Sequence, residues 1–308
     1  MKISVVIPTY KRVSTLVECL DGIRWQRRVP DEIVVIARQS DEETLAFLNR
    51  FTALNITLVL IEKPGAIAAL NAGIGRASGD IIVITDDDTI GHSDWIERIE
   101  RHYIEDDRLG GLGGKDYVYH DGILERGSAD RVGKLMWFGR MIGNHHIGTG
   151  NAREADIMKG ANMSFRKQAA QGLRLDENLK GNGAQVHWEV GFSLSIKKRG
   201  WTLKYDPKVC VDHFPAVRHD EDQRNGFNET AAFNHSHNET YAILSHIGRM
   251  RGQLFLLWCV AVGSKPSPGA LQYLRAFPRT DMRLNLAKLL IALRGRREGW
   301  RTWKHTRG

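Results

Sequence analysis

From Ile3 to Thr85 the chain alternates short apolar runs with stretches of helical spacing, and a pattern of this kind is buried best by a parallel sheet covered with helices. Ile3-Ser4-Val5-Val6-Ile7 reads as a strand, and Glu32 to Ala37, Thr57 to Ile61 and Ile81 to Thr85 read as three more. Between them, Leu16, Leu20 and Ile23 share one helical face behind the capping-box pattern Thr15-Leu16-Val17-Glu18. Glu42 to Phe51 and Ile67 to Ala77 supply two further helices. Ligands of such sheets bind at the carboxyl ends of the strands. With 308 residues, 42% of them hydrophobic, the chain can bury one large core or a core with an appendage.

Directly behind the fourth run stand Asp86, Asp87 and Asp88. Three adjacent carboxylates repel one another unless a cation neutralises them, and Mg2+ and Mn2+ take oxygen ligands and bridge to phosphate oxygens. The competing reading is a helix-capping turn, since aspartate is a good N-cap and Thr89 to Ile99 can start a helix.

The net charge of +8 is unevenly spread. Residues 247 to 308 hold 13 lysines and arginines against two acids, leaving 31 against 34 in residues 1 to 246. No nucleic-acid partner is therefore expected for the main domain. The tail also carries the apolar runs Leu254 to Val262 and Leu286 to Leu293, set among arginines and followed by Trp300 and Trp303. Neither run reaches the roughly 18 to 20 residues that span a bilayer, but basic, Trp-bearing amphipathic segments suit an anionic membrane surface. A helical cap packed on the main domain, or on another copy in a homo-oligomer, explains the same pattern. Cys19, Cys210 and Cys259 fit neither a disulfide framework nor a zinc site, and the first apolar run is too short for a signal-peptide core. Both point to the cytoplasm, with the cytoplasmic face of a membrane as the place where the tail would dock.

Val5-Val6-Ile7-Pro8-Thr9-Tyr10-Lys11-Arg12, Lys63-Pro64-Gly65 with Ala69-Leu70-Asn71-Ala72-Gly73, Ala77-Ser78-Gly79-Asp80 and Thr85-Asp86-Asp87-Asp88 resemble, in this order and spacing, the landmarks of the inverting family 2 glycosyltransferases of GT-A fold. The resemblance runs from residue 2 to about residue 215. It implies an α/β fold with a Rossmann-like, mainly parallel sheet flanked by helices, ahead of a basic helical C-terminal tail. The corresponding division is a catalytic domain over residues 1–240, with a nucleotide-sugar half at 1–115 and an acceptor half at 116–240, and an amphipathic tail at 241–308. A nucleotide-diphosphate sugar, by default a UDP-sugar, and a divalent cation (Mn2+ or Mg2+) are implied. So is single displacement with inversion onto a hydroxyl of a glycan or lipid-linked glycan.

On this resemblance Asp88 and His213 hold the metal, and Asp86 stands beside Asp88 or faces the ribose. Pro8, Tyr10, Arg12, Arg38, Asn71, Asp86 and Asp87 lie on the donor side. An acceptor hydroxyl needs a general base, and a carboxylate is the usual one. In the family it precedes a helix ending in a Gly-aromatic pair; here that pair is Gly200-Trp201, and counting back through Ile196, Leu194 and Phe192 lands on Glu189. The chain departs from the family in reading His187-Trp188-Glu189, with no acid directly ahead. His187 is therefore a rival base or an acceptor contact, and Trp188 a candidate sugar platform or a side chain packed in the core. His145 is read as loop structure or an acceptor contact, the segment Lys159 to Ser164 is placed on the acceptor side, Gly110 to Gly114 near the metal, and Arg218 and Arg224 in a polar loop able to close over a diphosphate. A second departure follows strand two, where Ala37-Arg38-Gln39-Ser40-Asp41 offers no base-contacting acid at the strand end and leaves Asp41 to cap the next helix. No Gln-x-x-Arg-Trp sequence is present, which argues against a processive polymerase. Outside enzymes, the competing reading is an anionic-membrane or nucleic-acid binding protein with a non-catalytic GT-A-like domain.

Overall fold

The computed structural model describes residues 1–223, 226–276 and 281–307. The chain divides into two compact units, one of Met1–Lys134, Ile142–Leu175 and Phe192–Ala216, the other of Leu135–Met141, Asp176–Gly191 and Val217–Gly308.

The first unit is built on one sheet. Strands β1 (Ile3–Pro8), β2 (Glu32–Arg38), β3 (Ile56–Ile61) and β4 (Ile81–Thr85) run parallel in the order β3-β2-β1-β4. After β4 come a short strand β5 (Thr89–Gly91) and the long β6 (Leu109–His120). Strand Asn162–Arg166 inserts antiparallel between β4 and β6, and strand Thr202–His213 lies parallel to β6. The sheet is thus mixed but mainly parallel. Its central strands are covered on both faces, so β1 and β4 carry unbroken buried runs, each buried Val or Ile contributing roughly 1.5–3 kcal/mol.

The helices of this unit are α1 (Val13–Arg24), α2 (Glu42–Arg50), α3 (Ala66–Arg76) and α4 (Trp95–Glu105). Helix α1 turns Leu16, Cys19, Leu20 and Ile23 inward. It begins two residues before Thr15, so the expected capping box does not form; the Thr15 hydroxyl instead donates to the Arg12 carbonyl at 3.2 Å. Helix α2 is capped as expected by Asp41, which accepts from the Thr44 amide at 3.3 Å and also from the Lys11 amide at 2.6 Å. Helix α3 lies flush on the sheet because Gly73 has no side chain: a Cβ there would stand 2.5 Å from the Ile36 Cδ1 and 2.7 Å from a Val6 methyl. Two glycines of β6 serve packing too, with Trp201 against Gly110 and Met158 against Gly111.

In the second unit, α6 (Glu229–His246), α7 (Arg249–Ala261), α8 (Ala270–Ala276) and α9 (Met282–His305) follow α5 (Trp188–Lys198), which belongs to this unit only through its first turn. Helix α6 is unusual in burying polar side chains, with Ser236, His237, Asn238, Glu239 and Thr240 all inside. Helix α9 packs on it through Gly295 and Gly299, where a Cβ would come within 2.6 Å of the Phe233 carbonyl and 2.5 Å of the His237 carbonyl. Helix α6 runs through residue 240, so no element boundary lies where the sequence pattern suggests the tail begins. Among the described residues no helix is long and apolar enough to cross a membrane.

Candidate functional site

Strands β1, β2 and β4 end on the same edge of the sheet, and β4, the last of them in the chain, delivers Asp86, Asp87 and Asp88 there. The turn that follows does not start a helix. Thr89 to Gly91 instead pairs antiparallel with the end of strand Thr202–His213, with His213 opposite Thr89. That register brings His213 beside Asp88. One ligand atom from each of Asp86, Asp88 and His213 lies within 4.8 Å of the others.

Neighbouring groups fix this turn. The Thr85 hydroxyl donates to the Ala161 carbonyl at 2.9 Å and the Thr89 hydroxyl to the Asp86 carbonyl at 2.8 Å. Asp88 Oδ2 accepts the Ala216 amide at 2.9 Å, and the Asp88 carbonyl accepts the Phe214 amide at the same distance. Asp88 Oδ1 is buried with no hydrogen bond, its nearest partner being His213 Nε2 at 3.4 Å. A buried carboxylate oxygen left in this state, beside a second carboxylate and an imidazole, is a donor set that suits a divalent cation.

Asp87 faces elsewhere. It accepts from the Thr9 hydroxyl at 2.7 Å and from Arg12 Nη1 at 2.8 Å, and the same guanidinium nitrogen lies 3.7 Å from Asp88. Burial lifts the Asp87 carboxyl above the ordinary carboxylate range, and the Arg12 charge pulls it back. Burial and the Asp88 charge also raise Asp86, while at Asp88 burial is outweighed by His213 and the carboxyl is lowered. His213 is raised to about 9: burial alone would lower it, but the carboxylates of Asp116 and Asp88 dominate. Asp116, which the sequence did not single out, sits fully buried on β6 with Lys159 and His213 as partners, and despite burial those partners hold it at about 2. An acid at the alternate positions it shares with the buried Leu112, Gly114 and Val118 was the available signal.

The remaining expected donor-side residues fall on the same edge. Pro8 closes β1, and the Thr9 amide donates to the Ile36 carbonyl at 2.9 Å. The Arg38 guanidinium lies 3.7 Å from the centroid of the Tyr10 ring. Asn71 does something different: its amide accepts from and donates to the Leu175 backbone at 2.8 and 3.0 Å, which makes it a tether between α3 and the chain beyond strand Asn162–Arg166.

Two residues placed on the acceptor side are buried supports. His145 Nε2 lies 3.1 Å from the Ile157 carbonyl, and burial lowers its pKa to about 4, so the ring is neutral and enclosed. Asn162 accepts from the Trp95 indole at 2.9 Å and donates to the Lys115 and Val209 carbonyls.

In the second unit Glu189 stands in the first turn of α5. Trp188 is 7% exposed, so it packs in the interior and offers no open face to a sugar. His187 adopts φ 75°, and its ring meets His235 edge-on at 4.4 Å. Burial, His235 and Arg296 hold His187 well below the usual histidine range, and its Nε2 is buried without a hydrogen bond. Arg218 donates to Asp222 at 2.6 Å. Arg224 lies outside the described residues.

With this geometry in place, similarity to known proteins is informative. Residues 4–171, more than half of the chain, match the family described as Glycosyl transferase family 2. An uncharacterized glycosyltransferase, YwdF of Bacillus subtilis, is 41% identical over 96 residues, covering 30% of this chain and 35% of its own. The glycosyltransferase AglE of Haloferax volcanii is 27% identical over 205 residues, 63% of this chain and 64% of its own. The chain thus spans less than two thirds of the length of these relatives. A solved mannosyltransferase of Pyrobaculum calidifontis, PcManGT, in complex with GDP-Man and Mn2+, superimposes with a TM-score of 0.57 over 96% of this chain and 86% of that one at 16% identity, a likeness of fold. The strand order, the aspartate turn behind β4 and the match over residues 4–171 agree: this chain belongs to glycosyl transferase family 2, with a GT-A fold.

Proposed function

We propose that this glycosyltransferase moves a single sugar from a nucleotide-diphosphate sugar to a hydroxyl of a glycan or lipid-linked glycan, with inversion and with the help of a divalent cation. The observation that carries the reading is the cluster of Asp86, Asp88 and His213 at the end of β4. Mn2+ or Mg2+ held there supplies Lewis acidity to the departing diphosphate. The residues do the rest. Arg12 keeps one positive charge at the same edge, paired with Asp87. Tyr10 and Arg38, stacked on each other at the ends of β1 and β2, are the proposed contacts of the nucleotide, with uridine the first base to test. Glu189 takes the proton of the acceptor hydroxyl as its oxygen bonds to the anomeric carbon, and the bond from that carbon to the diphosphate oxygen breaks on the opposite face.

The second unit motivates the lipid-linked acceptor. Helices α7 and α9 leave Met250, Leu254 and Leu257, and Met282, Leu286 and Leu290, exposed in rows of helical spacing, among exposed arginines. Such rows suit an anionic membrane surface.

The test has two steps. Melting the full chain with UDP or GDP, each with and without Mn2+, identifies the nucleotide, since a ligand bound only to the folded state raises the midpoint. Sugar transfer and nucleotide release are then measured for Asp88→Asn and Glu189→Gln. Each is expected to fall by about 100-fold or more while the circular dichroism stays that of the wild type. Activity surviving both changes would sink the site assignment, whereas a wild type that transfers no sugar from any nucleotide sugar would favour a non-catalytic binding protein.

A further inference from the structure

His213 is held from two sides. Its Nε2 lies 3.4 Å from Asp88 Oδ1, and its Nδ1 lies 3.5 Å from Asp116 Oδ2. The sheet register makes this possible. Asp116 of β6 is paired with Val211, so it shares a face with His213 two residues further along the neighbouring strand. Asp116 is 0% exposed, and its Oδ2 is also ion-paired with Lys159, which arrives just ahead of strand Asn162–Arg166. A line of contacts therefore runs from Lys159 through Asp116 and His213 to Asp88.

An ion pair with Lys159 alone would explain a buried acid. It does not explain why the same oxygen faces the ring nitrogen that points away from Asp88. An imidazole that ligates through one nitrogen is oriented by the partner of the other, and a carboxylate in that position fixes both the ring angle and which nitrogen is presented. We propose that Asp116, steadied by Lys159, is a positioning residue that keeps the Nδ1–H of His213 turned toward itself, so that Nε2 is the nitrogen presented to the cation shared with Asp86 and Asp88. This rests on the metal reading of the proposed function, and its effect is on cation affinity before it is on turnover.

The experiment uses the full chain and Mn2+ alone. Binding is followed by the loss of the free-ion signal in electron paramagnetic resonance, and nitrogen ligation by the pulsed spectrum. For wild type, saturable Mn2+ binding with a nitrogen coupling is expected. Asp116→Asn is expected to weaken Mn2+ by about 10-fold or more and to diminish the nitrogen coupling. Lys159→Met, a gentler change at a partly exposed position, shifts both readouts in the same direction by less. Because Asp116 acts through His213, Asp116→Asn should cost nothing further in a His213→Ala background. The inference is overturned if both Asp116→Asn and Lys159→Met bind Mn2+ within two-fold of wild type, or if Asp116→Asn weakens binding equally with and without His213. Failure of the wild type to bind Mn2+ overturns the metal reading itself and this inference with it.

Discussion

At the scale of single residues, the three aspartates behind β4 are not equivalent. Asp86 and Asp88 turn ligand atoms toward His213, while Asp87 is engaged by Thr9 and Arg12. Arg12 therefore compensates two carboxylates at once and lets three acids share one turn. The second residue-level lesson is His145. It lies inside the first unit, and burial lowers its pKa to about 4 against an ordinary value near 6.5. A histidine depressed in this way contributes stability that is fully present above about pH 6.5, where both states are neutral. That contribution is lost progressively as the pH falls to about 4, because only the unfolded chain takes up the proton, and it amounts to roughly 3 kcal/mol in all. Urea unfolding of wild type and His145→Gln between pH 7.5 and 4.5 measures it. The variant is expected to be less stable at pH 7.5, having lost the contact to Ile157 and the edge-on packing against Tyr205, but to show a shallower decline below pH 6.5. Parallel declines would show that His145 is not the neutral, enclosed ring described.

At the scale of elements, the pairing of α6 with α9 shows what a helix gives up to bury polar groups. Helix α6 has no apolar stripe, so its association with α9 depends on close backbone approach at Gly295 and Gly299, on the Arg296 contact with Glu239 at 3.5 Å, and on the hydrogen bond between His237 Nε2 and the Thr302 hydroxyl at 2.9 Å. Gly299→Leu drives a side chain into the His237 carbonyl and is expected to destabilise the second unit by about 1–3 kcal/mol or more. Differential scanning calorimetry should record a lowered transition, and an unchanged trace would refute the packing argument. Strands β1, β2, β3 and β4 and helices α2 and α3 fall within about one residue of the apolar pattern, because that pattern reports burial directly. The aspartate cluster was legible because it follows a buried run, and His213 only through the family resemblance. Asp116 and Lys159 were not, since their meeting depends on sheet register across 43 residues of chain. Helix α6 escaped notice because buried polar residues mimic a solvated face, and the glycines of α9 look like interruptions in an amphipathic tail until the partner helix is seen.

For the whole molecule, the question is what the uneven charge is for. Residues 247 to 308 carry 13 basic groups against two acidic ones, and the arginines at 249, 251, 275, 283, 294, 297 and 301 are all exposed. Leu257 is 66% exposed on α7, Leu274 is 61% on α8 and Leu286 is 43% on α9. Exposed leucines in rows are unfavourable in water, and arginines around them are unfavourable in a protein interior, but both are satisfied at the boundary of an anionic bilayer, where each basic group adds about 1 kcal/mol. The full chain is therefore expected to sediment with phosphatidylcholine vesicles containing phosphatidylserine and much less with phosphatidylcholine alone. Raising the salt toward 1 M shortens the screening length to about 3 Å and should remove most, but not all, of that binding. Leu257→Asp with Leu286→Asp should abolish the salt-resistant remainder while leaving binding to heparin, a soluble polyanion, unchanged. Binding to vesicles and heparin that responds to salt alike, and ignores the leucines, would mean that the tail recognises negative charge and not a membrane, and the case for a lipid-linked acceptor would lose its support.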